Sequence, residues 1–136
     1  MLKILENILA GGAVIWMAGC SAATPETDTK AQFDLGIQYI KGVEVEKDLD
    51  RGAILIKQAA DNGLPQAQFT LGNLYKNGIG LEKDKVKALH LIRLSSDHGY
   101  PEAQLMMGLI YSVQLGFEID VDHTKALEFF KKAAEQ

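Results

Sequence analysis

The chain has no second cysteine, so no disulfide can form within it and the fold must stand on its core alone. It also has no apolar run long enough to cross a membrane. Ile8 to Ala18 (ILAGGAVIWMA) is uncharged and mostly apolar, but it is 11 residues long, whereas a helix spanning a hydrocarbon core about 30 Å thick needs roughly 20. Clustered Lys and Arg are missing as well. With a formal net charge of -4, this argues against nucleic acid as a partner, because phosphate binding draws on concentrated positive charge. No stretch reads as a strand, and proline is scarce. What remains is 47% hydrophobic and 24% charged, the balance of an ordinary folded domain rather than a disordered one.

The first thirty residues differ from the rest. A weakly positive start at Met1-Leu2-Lys3, partly offset by Glu6, precedes the short apolar run. That order and length suit a secretory signal. Next come Ala18-Gly19-Cys20-Ser21, where small residues lead directly into the lone cysteine. This segment resembles the lipobox of bacterial lipoproteins, although Met17 stands where that family usually has Leu. The resemblance implies cleavage after residue 19 and acylation of Cys20. It also implies sorting to the outer membrane, facing the periplasm, since Ser21 rather than Asp follows the cysteine. Two or three acyl chains would anchor the protein stably where one would be marginal. Residues 20–30 then read as the lipidated cysteine and a flexible tether, polar and interrupted by Pro25.

From residue 31 the sequence repeats itself. Ala31-Gln32-Phe33, Leu35-Gly36 and Tyr39 recur 36 residues later as Ala67-Gln68-Phe69, Leu71-Gly72 and Tyr75, and again as Ala103-Gln104-Leu105, Met107-Gly108 and Tyr111. A second half recurs too. Asp48, Asp84 and Asp122 each precede a basic residue three positions on (Arg51, Lys87, Lys125), then an apolar stretch ending in Ala59-Ala60, Ser95-Ser96 or Ala133-Ala134.

The residue types have physical reasons. Ala31, Leu35 and Tyr39 lie at i, i+4 and i+8, one face of a helix. Small residues at 31 and 36, with their copies, allow a neighbouring helix to come close. Gly within a helix costs up to about 1 kcal/mol relative to Ala, so its return at one register points to packing. Each Asp suits the start of a second helix, where its carboxylate can accept from free backbone N–H groups. Gly63 and Gly99 fall at helix stops, and Pro65 and Pro101 at helix starts.

These signals predict helices over 29–41 and 49–61, 65–77 and 85–97, and 101–114 and 123–135. The fold class is all-α: a short α/α solenoid of three helix-turn-helix repeats, at 31–66, 67–102 and 103–136, sharing one core. The pattern A-x-x-x-L-G-x-x-Y-x-x-G…D-x-x-K-A resembles the Sel-like repeat of the tetratricopeptide superfamily and covers residues 31–136. Unit one departs from it with Gly52 for Ala and without its second turn glycine, having Gly42-Val43-Glu44. Unit two has Ser95-Ser96 for the alanine pair, and unit three carries two extra residues between Tyr111 and Ala126.

The resemblance implies protein binding, with the first helix of each pair presenting the contact residues. The positions one and four after each Leu/Met-Gly pair are the candidates: Ile37 and Ile40, Asn73 and Lys76, Leu109 and Ser112. Packing between stacked helices accounts for Ile37, Ile40 and Leu109 equally well. Phe129 and Phe130, near the end of the last unit, either offer a partner or self-association surface or pack back on their own first helix.

Catalytic chemistry is not evident. His90, His98 and His123 lack carboxylates at metal-ligand spacing, no serine sits in a nucleophile elbow, and no glycine-rich loop follows a strand. The expectation is a lipid-anchored scaffold of the bacterial envelope without a cofactor, catalytic residue or metal, and not an enzyme. Its partners are expected to be another envelope protein or peptide, the membrane through its lipid, and a second copy if it self-associates. The other readings are an accessory protein or enzyme acting on cell-wall components, and a self-assembling surface protein.

Overall fold

The computed structural model describes residues 25–136, so residues 1–19, expected as a signal, and Cys20 lie outside the described residues. Among the described residues there are six helices and no strand. They are α1 (Pro25–Lys41), α2 (Leu49–Asp61), α3 (Pro65–Asn77), α4 (Lys85–Asp97), α5 (Pro101–Val113) and α6 (His123–Ala134). They pair as α1–α2, α3–α4 and α5–α6, and the pairs stack through α2 on α3 and α4 on α5. The all-α solenoid of three repeats is therefore the observed architecture.

The first helix starts earlier than the repeat required. Thr29 aligns with Pro65 and Pro101, yet α1 reaches back to Pro25, and Thr29 is buried. The stretch expected as flexible tether up to residue 30 is thus helical from Pro25 onward. The physical reason is that this turn adds to a helix already packed on α2.

Helix starts follow the expected chemistry. Asp48, Asp84 and Asp122 are extended N-caps, and each side chain accepts from the backbone N–H three residues on, at 3.0 Å. The backbone N–H of each Asp is itself held by the carbonyl of Tyr39, Tyr75 or Tyr111, at 3.0, 2.9 and 2.9 Å. Each connection is thus tied back to the tyrosine turn of its own first helix.

Within units, the recurring glycine is a contact point. A Cβ at Gly36 would sit 2.8 Å from Ile56, at Gly72 2.9 Å from Ile92, and at Gly108 2.6 Å from Phe130. Helices this close leave no room for a methyl group, which explains glycine inside three helices. Gly52 has a related cause. A Cβ there would meet Ile40 at 2.8 Å and the Gly36 carbonyl at 2.9 Å. Unit one departs from the pattern because Ile40 fills the space that alanine takes elsewhere.

Between units, a glutamine does the joining. Gln68 Nε2 donates to the Ala60 carbonyl of the preceding unit at 3.4 Å, and Gln104 Nε2 approaches the Ser96 carbonyl at 3.5 Å. On the other side, Gln68 Oε1 pairs with His98 Nδ1 at 2.9 Å, and Gln104 Oε1 accepts from Gln136 at 3.4 Å. Unit one breaks the series: Asn62 occupies the position of His98 and Gln136, and Gln32 Oε1 is buried without a hydrogen-bond partner. Two apolar clusters result, one around Ile56, Leu71 and Leu74, the other around Ile92, Met107, Ile110 and Phe117.

Candidate interaction surface

The recurring tyrosines Tyr39, Tyr75 and Tyr111 are half-buried and form one wall of a recurring surface feature. In unit two, Lys87 binds its N-cap Asp84 at 3.4 Å and lies 5.5 Å above the Tyr75 ring. Unit three repeats this, with Lys125 3.5 Å from Asp122 and 5.4 Å above Tyr111. In unit one, Arg51 pairs with Asp48 at 3.3 Å. The backbone N–H of Lys87 holds the Asp84 carboxyl below the usual carboxylate value of 3.8, and that of Lys125 does the same for Asp122. Partial desolvation opposes both shifts, while the neighbouring ammonium groups reinforce them.

Beside these walls lie two clefts of matching construction. The first, about 320 Å³, is lined by Leu35, Tyr39, Arg51, Ile54, Leu55 and Gln58. The second, about 440 Å³, is lined by Leu71, Tyr75, Val86, Lys87, His90 and Leu91, with Lys57 and Asp61 from the unit before. Five of these positions coincide at an offset of 36: 35 with 71, 39 with 75, 51 with 87, 54 with 90, and 55 with 91. The rims carry apolar side chains facing solvent, Ile54 at 56% exposure and Val86 at 80%. In unit three, Phe129 takes the place of Leu55 and Leu91 and stacks on Tyr111, centroids 5.7 Å apart and planes within 9°.

The six residues picked from the sequence have different surroundings. Ile37 and Ile40 pack against the first core cluster, and Ile40 fills the space above Gly52, which is the packing role also open to them from the sequence. Lys76 reaches over Phe117, a buried aromatic from the connection of unit three, 6.0 Å from the ring centre. Ser112 donates to the Leu109 carbonyl of its own helix at 3.0 Å. Asn73 is half-buried, and Leu109 is exposed. Phe129 and Phe130 are half-buried, packed back on α5 through Tyr111 and Gly108.

Sequence reasoning passed over Ile54 and Val86 and weighed His90 only as a metal ligand. The signal was available, since Ile54 and Val86 interrupt the polar face of second helices whose inward positions were already identified. Of the histidines, His98 is held by Gln68 and His90 lines the second cleft. Among the described residues no cluster of three or more metal-ligating side chains occurs, and no helix is long and apolar enough to cross a membrane.

The stacked helix pairs, the glycine contacts and the capped second helices fit a known repeat. A model of the Sel1 repeat matches residues 29–64, 65–100 and 101–136. The chain belongs to the Sel1 repeat family. No curated protein matches it. Among solved structures, c5321, a protective antigen of uropathogenic Escherichia coli strains with an SLR fold, is 37% identical with a TM-score of 0.72. That similarity covers 85% of this chain and 24% of the other. A Sel1 repeat protein from Oxalobacter formigenes is 27% identical with a TM-score of 0.75, covering 97% of this chain and 54% of that one. The chain therefore spans about a quarter and about half of these two relatives. Sel1 repeats are generally a non-catalytic architecture for protein–protein interaction, and this Sel1 protein has the corresponding scaffold form.

Proposed function

We propose that this Sel1 protein is a lipid-anchored scaffold of the bacterial envelope that holds a partner protein through the clefts of units one and two. The observation that carries the binding reading is the repetition of the clefts. Each offers leucine and tyrosine walls, a cation held above or beside the tyrosine, and an exposed apolar rim residue. A partner segment with apolar side chains at two points could enter both, with modest affinity because each cleft is open and shallow. The sequence Ala18-Gly19-Cys20-Ser21 supports the anchor, with Cys20 as the acylated residue and the outer membrane, periplasmic side, as its location.

Capture from a membrane extract tests the binding site. Val86→Glu, on an almost fully exposed side chain, should remove partners recovered with the unaltered protein while leaving helicity intact. Recovery of the same partners by V86E would place binding elsewhere. For the anchor, Cys20→Ser should move the protein from the membrane to the soluble fraction, and unchanged retention would refute acylation.

A further inference from the structure

The three recurring tyrosines differ in what stands beside them. In units one and two the neighbour is a leucine, Leu55 or Leu91, and an apolar cleft opens there. In unit three Phe129 stacks on Tyr111 instead, with ring centres 5.7 Å apart. Neither cleft takes a residue from the unit after it, whereas the second takes Lys57 and Asp61 from the unit before. The position 36 residues after Lys57 is Arg93, which reaches Tyr111 across the next junction.

What converges on Tyr111 is a set of donors. Arg93 Nη2 donates to the tyrosine hydroxyl at 3.4 Å, so that oxygen accepts and its own O–H is left to donate. Lys125 Nζ lies 5.4 Å above the same ring and is shared with Asp122. Arg93 has no such sharing. Its counterpart Lys57 has Asp61 at 3.8 Å, one turn further along the helix. Asp97 stands one turn after Arg93. Yet among the described residues no carboxylate pairs with Arg93, which is exposed.

An unpaired guanidinium beside a hydroxyl proton, with an ammonium over the ring, matches an acceptor that carries negative charge. Arginine presents its donors in a planar fork, and the tyrosine uses only one of them. An edge remains for the two oxygens of a carboxylate, the acceptor whose geometry fits that fork best. The clefts of units one and two have a different chemistry. Leucines wall them, and in the second the cation in register with Arg93 already has Asp61 beside it.

We infer that Arg93 and the Tyr111 hydroxyl bind an Asp or Glu side chain of the partner segment whose apolar side chains occupy the clefts. The partner is thus of one chemical kind and lies in one direction, apolar toward unit one and acidic toward unit three. The inference rests on the clefts as the proposed binding site and adds to them a residue that lines neither. The two can therefore be tested by separate substitutions, Arg93→Gln for the acidic end and Val86→Glu for the clefts.

A random peptide library displayed on phage and selected on the full-length protein in one detergent tests this with no partner in hand. Enriched peptides should carry aliphatic residues with Asp or Glu to one side of them. An enriched peptide, made synthetically, should bind R93Q about fivefold more weakly than the unaltered chain. Its Glu→Gln form should bind both chains equally, and R93K, which keeps the charge but not the fork, should fall between. Peptides without acidic residues, or binding lost in V86E but unchanged in R93Q, would overturn the carboxylate site and leave the clefts standing. Binding lost in R93Q but unchanged in V86E would sink the clefts instead, and indifference to both substitutions would sink the two readings together. A selection that enriches nothing would overturn a peptide segment as the occupant, with the capture experiment still judging the clefts. Co-sedimentation of the full Cys20→Ser chain with phosphatidylglycerol vesicles, abolished by R93Q, would overturn the inference in favour of an anionic membrane surface.

Discussion

The face of α2 under α3 and the outer face of α6 use the same register positions and differ in what covers them. Ala53 and Ala60 are closed off by the turn and first helix of unit two, whereas Leu127 and Ala134 face solvent. The covered face of α2 has alanine at both positions, whereas the covered face of α4 has Leu89 and Ser96 there, so residue size at this register does not follow coverage. Identical helices in sequence pattern can thus be core or surface, depending on the next unit alone.

That comparison can be broken first at the buried end. Ala53→Glu should unfold units one and two together, losing several kcal/mol because a carboxylate would be buried without a partner. Loss of the urea transition by circular dichroism would show it. Its register counterpart, Leu127→Glu, should stay within about 0.5 kcal/mol of the unaltered protein. If the two cost the same, the inner and outer faces are not different environments.

Ile92→Ala, behind Gly72, should cost about 3 kcal/mol through the cavity it leaves at a fully buried site. A urea midpoint series measures it. Smaller effects belong to the hydrogen-bonded joints. Ser95 donates to the Pro65 carbonyl at 2.7 Å from a buried position where unit one has Ala59. Ser95→Ala should therefore cost about 1 kcal/mol. In the opposite direction, Asn62→His should supply the partner that Gln32 Oε1 lacks, as His98 does for Gln68, and gain about 1 kcal/mol. A thermal scan that places N62H at or below the unaltered protein would show that the side-chain pairing seen between Gln68 and His98 adds nothing to stability.

Acid gives the mildest perturbation. Asp84 and Asp122 have folded pKa values below 3.8, so their contribution is complete above that unfolded value. It is lost as pH falls through the depressed folded values. The midpoint should be flat from neutral pH down to about 4 and then fall. In D84N/D122N that fall should be shallower, because Asn still caps but does not titrate in this range.

Much of this fold was legible in the sequence because it depends on local chemistry repeated three times. Asp at the caps, Pro65 and Pro101 at the starts, and glycine at 36, 72 and 108 each have one physical reason, and the period multiplies the signal. The surface was harder to read for a related reason. Spacing along one helix does not reveal how large the facing residue is, so Ile40 looked available until Gly52 proved to be its seat. Lys76 likewise could not be read from its own helix, because Phe117 comes from a loop forty-one residues later.

The glutamine joints carry one more consequence. Gln68 and Gln104 bind the carbonyls of Ala60 and Ser96, positions that share a register, and Gly80 and Gly116 share another. Excising residues 65–100 would bring Gln104 to the carbonyl of Ala60, so the glutamine joint would close again with a familiar partner. A gene encoding such a chain can gain or lose 36 codons at a time without inventing a new contact, so its length is open to change by recombination in a way that a closed globular core forbids.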